Sequence, residues 1–258
     1  MPSGRPGSTI PMSDRPSLFQ RGGQYHLYRP DYPENLFRWL GDQCFEHQWA
    51  LDLGCGTGQA CRSLEGHFQH VIGADLSLAQ LRGAPASASH YLAARADALP
   101  FADGSFDLIT VAQALHWFPL PMFFKEAERV LREDALLAII SYGLCQVEGL
   151  PDLIDDFHDR VLAPWWPAAR WSVVSGYRNV TLPWPEHKAP ESLGIERHWH
   201  WRDLAAYLDT WSALAKARSF GKDPLRDFLP QLEQAWGEKT RKVRWPLRVR
   251  ACRRPREY

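Results

Sequence analysis

The chain has 258 residues, enough for one large α/β domain with a real core, and its 30 Lys+Arg exactly balance its 30 Asp+Glu, a neutrality that offers nothing to a nucleic-acid partner. Five cysteines, without a Cys-x-x-Cys pair, argue against a disulfide framework or a zinc site and fit a reducing cytoplasm. No apolar run approaches the roughly 18 to 20 residues that cross a bilayer.

Met1 to Ser17 is rich in Pro, Gly and Ser and lacks a signal-peptide core, so residues 1–20 read as a disordered leader. Tyr32 to Phe45 places Leu36, Phe37, Leu40 and Cys44 at helical spacing, with Pro33 in the first turn. Trp49 to Leu53 is a strand, and a glycine turn follows directly: Gly54-Cys55-Gly56-Thr57-Gly58, preceded by Asp52. Gln59 to Glu65 begins a helix, Val71 to Asp75 a second strand ending in an acid, and Leu76 to Gly83 a short helix. A weaker strand spans Tyr91 to Ala96 and leads into Asp97-Ala98. Phe106 to Ala112 is nearly all apolar, as a parallel strand buried on both faces requires. A helix over Pro121 to Leu131 and a strand over Ala135 to Ser141 complete an alternation that predicts a parallel sheet with helices on both faces.

After Tyr142 the alternation stops. Residues 150 to 235 read as mostly helical and Pro-interrupted, with Leu204 to Lys216 one helix of that layer. Nine of the 12 tryptophans lie after residue 160, including Trp166, Trp211, Trp236 and Trp245; two readings stand, a core of large aromatics or the lining of a pocket. Val243 to Cys252 alternates as an edge strand returning to the sheet, and the arginines from Arg241 to Arg256 fit a polar strand face and a tail.

The glycine turn carries the chemistry. Without Cβ atoms its backbone lets a ligand approach closely, and Asp75, about twenty residues on from Gly54, falls where a carboxylate at the next strand end accepts from ribose hydroxyls. A dinucleotide site wants Gly-x-Gly-x-x-Gly, but here the third glycine comes one position early and Gln59 takes its place. A nicotinamide oxidoreductase is thereby the weaker alternative, and a cofactor-binding protein without catalysis is a third.

The run Asp52-x-Gly54-x-Gly56-x-Gly58 resembles motif I of class I S-adenosylmethionine-dependent methyltransferases of the methyltransferase type 11 kind. Asp75, Asp97-Ala98, Asp107 and Arg129-Val130-Leu131 extend the likeness, while Arg132-Glu133-Asp134 departs from the family's usual Pro-Gly-Gly turn. Tyr28-Arg29-Pro30-x-Tyr32-Pro33, Ala112 to Phe118, Thr210 to Ala213 and Trp245-Pro246 are similar to a subgroup related to fungal trans-aconitate methyltransferase.

The resemblance implies a Rossmann-like, seven-stranded, mostly parallel sheet over 21–144, a helical Trp-rich substrate layer over 145–240 and a last strand and basic tail over 241–258. It implies S-adenosylmethionine as donor, S-adenosylhomocysteine as product and a small-molecule acceptor, with a monomer or homodimer and no metal, nucleic acid or membrane. Cofactor contacts are expected from Asp52, Gly54, Cys55, Gly56, Gly58, Asp75, Leu76, Asp97, Ala98 and Gln113. His116 and Tyr28 are the catalytic candidates. His116 reads either as a base or as a ring packed beside Trp117, and Tyr25, Tyr28 and Arg29 as a lid over the cofactor or as anchors of the leader. Arg170, Arg178 and Arg197 are candidates for pairing with an acidic acceptor, with plain surface arginines as the alternative.

Overall fold

The computed structural model describes residues 29–167 and 170–256, so the expected leader, Tyr25 and Tyr28 lie outside the described residues. The first half alternates as its sequence requires: α1 (Glu34–Asp42), β1 (Trp49–Leu53), α2 (Gln59–Leu64), β2 (His70–Asp75), α3 (Leu78–Arg82), β3 (His90–Ala93), β4 (Phe106–Ala112), α4 (Leu120–Val130) and β5 (Leu131–Tyr142). Strands β3, β2, β1, β4 and β5 lie side by side in that order, all parallel. The order reverses between β1 and β4, and at such a switch point the crossovers leave to opposite faces and open a crevice at the carboxyl ends.

Period-two alternation sends neighbours on one strand to opposite cores. Leu136, Ala138 and Ile140 of β5 pack in one apolar cluster with Leu36, Phe37 and Leu40 of α1. Leu137 and Ile139 pack in the other with Phe123, Ala127 and Val130 of α4. Helices therefore cover both faces of the sheet.

Beyond Tyr142 the chain forms β6 (Gln146–Val147), α5 (Leu153–Asp156) running on as a wider turn over Phe157–Val161, α6 (Arg170–Val174), β7 (Glu186–Lys188), β8 (Gly194–Trp199), α7 (Trp201–Asp209), α8 (Ser212–Ser219), α9 (Pro224–Trp236) and β9 (Arg241–Arg253). Three expectations change. The described sheet has nine strands rather than seven, because β7 and β8 pair with β9 beside the continuous path of seven. The helical stretch is thus interrupted by strands, and Leu204 to Lys216 is two helices parted at Thr210–Trp211, where Trp211 is extended (φ −76°, ψ 132°).

Strand β9 is internal rather than an edge. Ala251 and Cys252 pair antiparallel with β5 on one side and with β7 on the other. Its basic residues are partnered accordingly: Arg250 pairs with Glu186 and donates to the Tyr177 and Val180 carbonyls, and Lys242 pairs with Glu196 at 2.9 Å.

Four of the tryptophans after residue 160, Trp166, Trp211, Trp236 and Trp245, are buried in packing, whereas Trp171 is exposed. Trp211, Trp236 and Trp245 are buried in the cluster beneath α7 to α9, and the 860 Å³ cavity described below takes none of them as lining. The departure at Arg132-Glu133-Asp134 has a local solution: Asp134 adopts φ +59°, the left-handed conformation a glycine provides, and aspartate tolerates it better than most residues. All five cysteines are free thiols, and among the described residues no helix is long and apolar enough to cross a membrane.

Candidate cofactor site and its surroundings

A cavity of about 860 Å³ opens at the carboxyl ends of β1, β2 and β4. Its floor is the glycine turn. Gly54 and Cys55 donate to the Ala74 carbonyl at 2.8 and 3.2 Å, tying the turn to β2. All three glycines have positive φ, but they serve different needs. A Cβ on Gly54 would stand 2.4 Å from the Ala114 Cβ, and one on Gly58 would stand 2.1 Å from the Tyr91 hydroxyl. A Cβ on Gly56 would meet nothing closer than Gln80 Oε1 at 3.9 Å, so there the missing side chain leaves room at the cavity rather than relieving a clash. Gly58 is not a lining residue; it begins α2 and makes way for Tyr91.

Asp75 closes β2 and braces the turn. Its Oδ2 accepts from the Gly56 N–H at 2.8 Å and its Oδ1 from the Ser77 N–H at 2.7 Å, which fixes the carboxylate at the cavity wall with lone pairs to spare. Leu76 beside it is 73% exposed and lines the cavity. Asp97 also lines it, held by Arg95 through two bonds of 3.0 and 2.7 Å. Ala98 does not: its N–H turns inward to the Arg95 carbonyl at 3.2 Å, and Ala96 takes the place at the lining.

Asp52 lies at the bottom, 1% exposed. Its oxygens accept from Thr110 Oγ1 at 2.7 Å and, weakly, from Cys61 Sγ at 3.6 Å, and no cation is paired with it among the described residues. Burial pushes its pKa up to about 7, against the pull of those two donors and with a further push from Asp75. Gln113, at the end of β4, takes φ +59° and is pinned by its N–H to the Ile140 carbonyl and its side-chain amide to the Tyr142 carbonyl at 3.1 Å. That kink carries Ala114 and Phe118 over Gly54.

His116 sits on the 3₁₀ turn Leu115–Trp117 that follows, yet it is not a lining residue. Its Nδ1 lies 3.0 Å from the Tyr177 hydroxyl, and burial, reinforced by Arg170, pushes its pKa down to about 4. The ring also packs against Trp117, with 4.7 Å between centroids, and lies nearly parallel to the Tyr177 ring at 6.3 Å. Sequence reasoning missed Tyr32, Tyr142, Trp117 and Phe118 as lining. Tyr32, Trp117 and Phe118 stood inside quoted motifs, but nothing in their spacing said which way they face.

A doubly wound parallel sheet, with a glycine turn and two strand-end acids around one cavity at its switch point, defines a nucleoside-cofactor protein of the α/β class. Comparison with known proteins narrows this. Residues 51–139 match the family model described as a methyltransferase domain. A Dictyostelium discoideum protein named as a methyltransferase is 32% identical over 216 residues, 81% of each chain. An uncharacterized methyltransferase of Mycobacterium tuberculosis is 32% identical over 183 residues, 66% of this chain and 71% of that one. A solved structure described as a type II methyltransferase from Anaeromyxobacter dehalogenans superposes with a TM-score of 0.82 at 40% identity, covering 89% of this chain and 99% of that chain. The chain belongs to the class I S-adenosylmethionine-dependent methyltransferase family, and it is an enzyme.

Proposed function

We propose that this enzyme methylates a small carboxylic acid with S-adenosylmethionine, leaving S-adenosylhomocysteine. The observation that carries the donor is the convergence of Asp52, Gly56 and Asp75 on one cavity. Their chemistry fits that donor. Asp52 is a buried acid without a cationic partner among the described residues, so a methionyl ammonium brought beside it is strongly favoured, whereas a dinucleotide's pyrophosphate is repelled. Gly56 leaves space for a ligand against the backbone, and Asp75 is braced to accept from ribose hydroxyls. Leu76, Asp97 and Gln113 complete the cofactor wall in this reading, with Gly54 and Cys55 as its floor. Ala98 and Gly58 act from behind it.

When bound, the donor supplies a methyl on a sulfonium: the acceptor oxygen forms the new C–O bond as the C–S pair returns to sulfur. The protein's part is to align and to exclude water. The acidic class of the acceptor is supported by what the described lining lacks. Its ionisable groups are Asp52, engaged by an ammonium in this reading, the braced Asp75 and Asp97, the buried thiol of Cys55, two arginines, and the phenols Tyr32 and Tyr142. Burial holds the Tyr32 phenol well above its ordinary value. A carboxylate is already ionised at neutral pH and needs no base. The motif likeness to the trans-aconitate subgroup points the same way.

Calorimetric titration with S-adenosylmethionine and S-adenosylhomocysteine tests the donor. Asp75→Ala is expected to weaken both by about 10- to 100-fold, the loss of charge-assisted hydrogen bonds to the ribose. Binding of NAD with neither adenosyl ligand would sink the reading. His116→Ala is expected to leave turnover at neutral pH within about threefold, as befits a packing residue.

A further inference from the structure

Arg170 opens α6, and its guanidinium stacks over Trp166 with 4.8 Å to the ring centroid. Burial pulls its pKa below the ordinary arginine value. No carboxylate pairs with it among the described residues, and its Nε is buried without a hydrogen-bond partner. The residue as a whole is half-buried, and the Nε enclosed without an acceptor is a cost to the fold that a bound anion would relieve. The nearby groups that bear on it are a second cation, Arg29, and the phenols Tyr142, Tyr177 and Tyr207. Arg170 is not itself a lining residue, but Arg29 and Tyr142, which bear on its charge, line the cavity.

The platform beneath Arg170 is rigid. The Trp166 indole N–H donates to the His158 carbonyl at 3.2 Å, and the ring packs between His158 and Trp211 at 4.7 and 5.4 Å. A planar donor fork held on a fixed aromatic face is pre-organised for a carboxylate.

We propose that Arg170 anchors the anionic group of the methyl acceptor and so determines acceptor specificity, with Arg29 adding positive potential from the cavity wall. This rests on the carboxylic-acid reading of the acceptor. The uncompensated guanidinium receives its counter-ion when the acceptor enters, and a neutral isostere leaves it orphaned and is rejected.

The test uses the full chain saturated with S-adenosylhomocysteine and a panel of short straight-chain mono- and dicarboxylic acids, each beside its neutral amide. Thermal shift and calorimetry are read for wild type, Arg170→Met and Arg170→Lys. At least one acid, and not its amide, is expected to stabilise wild type. Arg170→Met is expected to keep S-adenosylhomocysteine binding, to melt no lower than wild type without acid, and to weaken the acid about tenfold or more. Arg170→Lys should recover part of that affinity. If Arg170→Met retains the acid response, the anchor is wrong while the carboxylic acceptor stands. If Arg170→Met melts well below wild type and loses S-adenosylhomocysteine, its role is structural and the anchor is wrong. If no acid shifts wild type although S-adenosylhomocysteine does, the acidic acceptor falls and the anchor with it.

Discussion

Gly58 ends the glycine turn at φ +75°, and its absent side chain is space occupied by Tyr91. Gly58→Ala meets two penalties: the left-handed backbone, about 1–2 kcal/mol for an L-residue, and a clash with a phenol held by its hydrogen bond to Ser87 at 3.3 Å. Removing the phenol in Tyr91→Ala cancels only the second. The double-mutant cycle in urea is therefore expected to show a favourable coupling of about 1 kcal/mol or more, with the backbone term left over. Equal cost of Gly58→Ala in both backgrounds would overturn the packing role. The same residues show what was legible one position at a time. Spacing located three missing Cβ atoms and the acid of β2, since both follow from strand and turn geometry. It did not say that Gly56 faces the open cavity while Gly54 and Gly58 meet Ala114 and Tyr91, because those neighbours come from elsewhere in the chain. Arg170 was visible only as one arginine among several; its stacking on Trp166 depends on how a Pro-interrupted segment folds back.

At the scale of elements, the β/α alternation to Tyr142 was readable because β1, β4 and β5 are apolar runs and α1 and α4 carry a full stripe, which framed the weaker β3 and α3 between them. The second half was not. Strands β7 and β8 span Glu186–Lys188 and Gly194–Trp199, too short and too polar for a period to show, so the strand they flank, β9, read as an edge. Internal β9 makes a prediction. Trp245 is fully buried in it, edge-on to Trp199 at 5.0 Å and to Tyr207 at 5.2 Å, yet its indole N–H has no hydrogen-bond partner. Trp245→Ala is expected to cost about 3–5 kcal/mol by urea denaturation, the usual range for a large aromatic removed from a core. Trp245→Phe keeps a ring between the same partners and deletes the orphaned donor, so it is expected to cost less than about 2 kcal/mol. If Phe costs as much as Ala, the indole N–H has a partner or the ring is not the packing unit.

For the whole molecule, Asp52 couples stability, pH and cofactor binding. Its pKa rises from 3.8 to about 7 on folding, so between those values the native state holds more protons than the unfolded chain. Stability from this group therefore falls as pH rises from about 4 to about 7 and levels off above. Glu126 and Glu186 act oppositely. Arg129 and Arg250 hold their pKa values below 4.5, so their contribution is present above that value and is lost in acid. His116, whose pKa falls to about 4, and His158, also lowered by burial, gain stability as pH rises and oppose Asp52 over the same window. The test is therefore comparative: the stability that wild type holds over Asp52→Asn is expected to be larger near pH 5 than at pH 8. The difference between the two profiles isolates the buried acid. A cationic ligand group beside Asp52 favours its ionised form, which ties the same residue to the cofactor. Binding of S-adenosylhomocysteine near pH 6 should then release up to one proton, read as a calorimetric enthalpy that varies with the ionisation enthalpy of the buffer. Asp52→Asn should bind with a buffer-independent heat. A wild-type heat that is also independent of buffer would mean that the ammonium does not settle on Asp52, and the orientation proposed for the cofactor would have to be reversed.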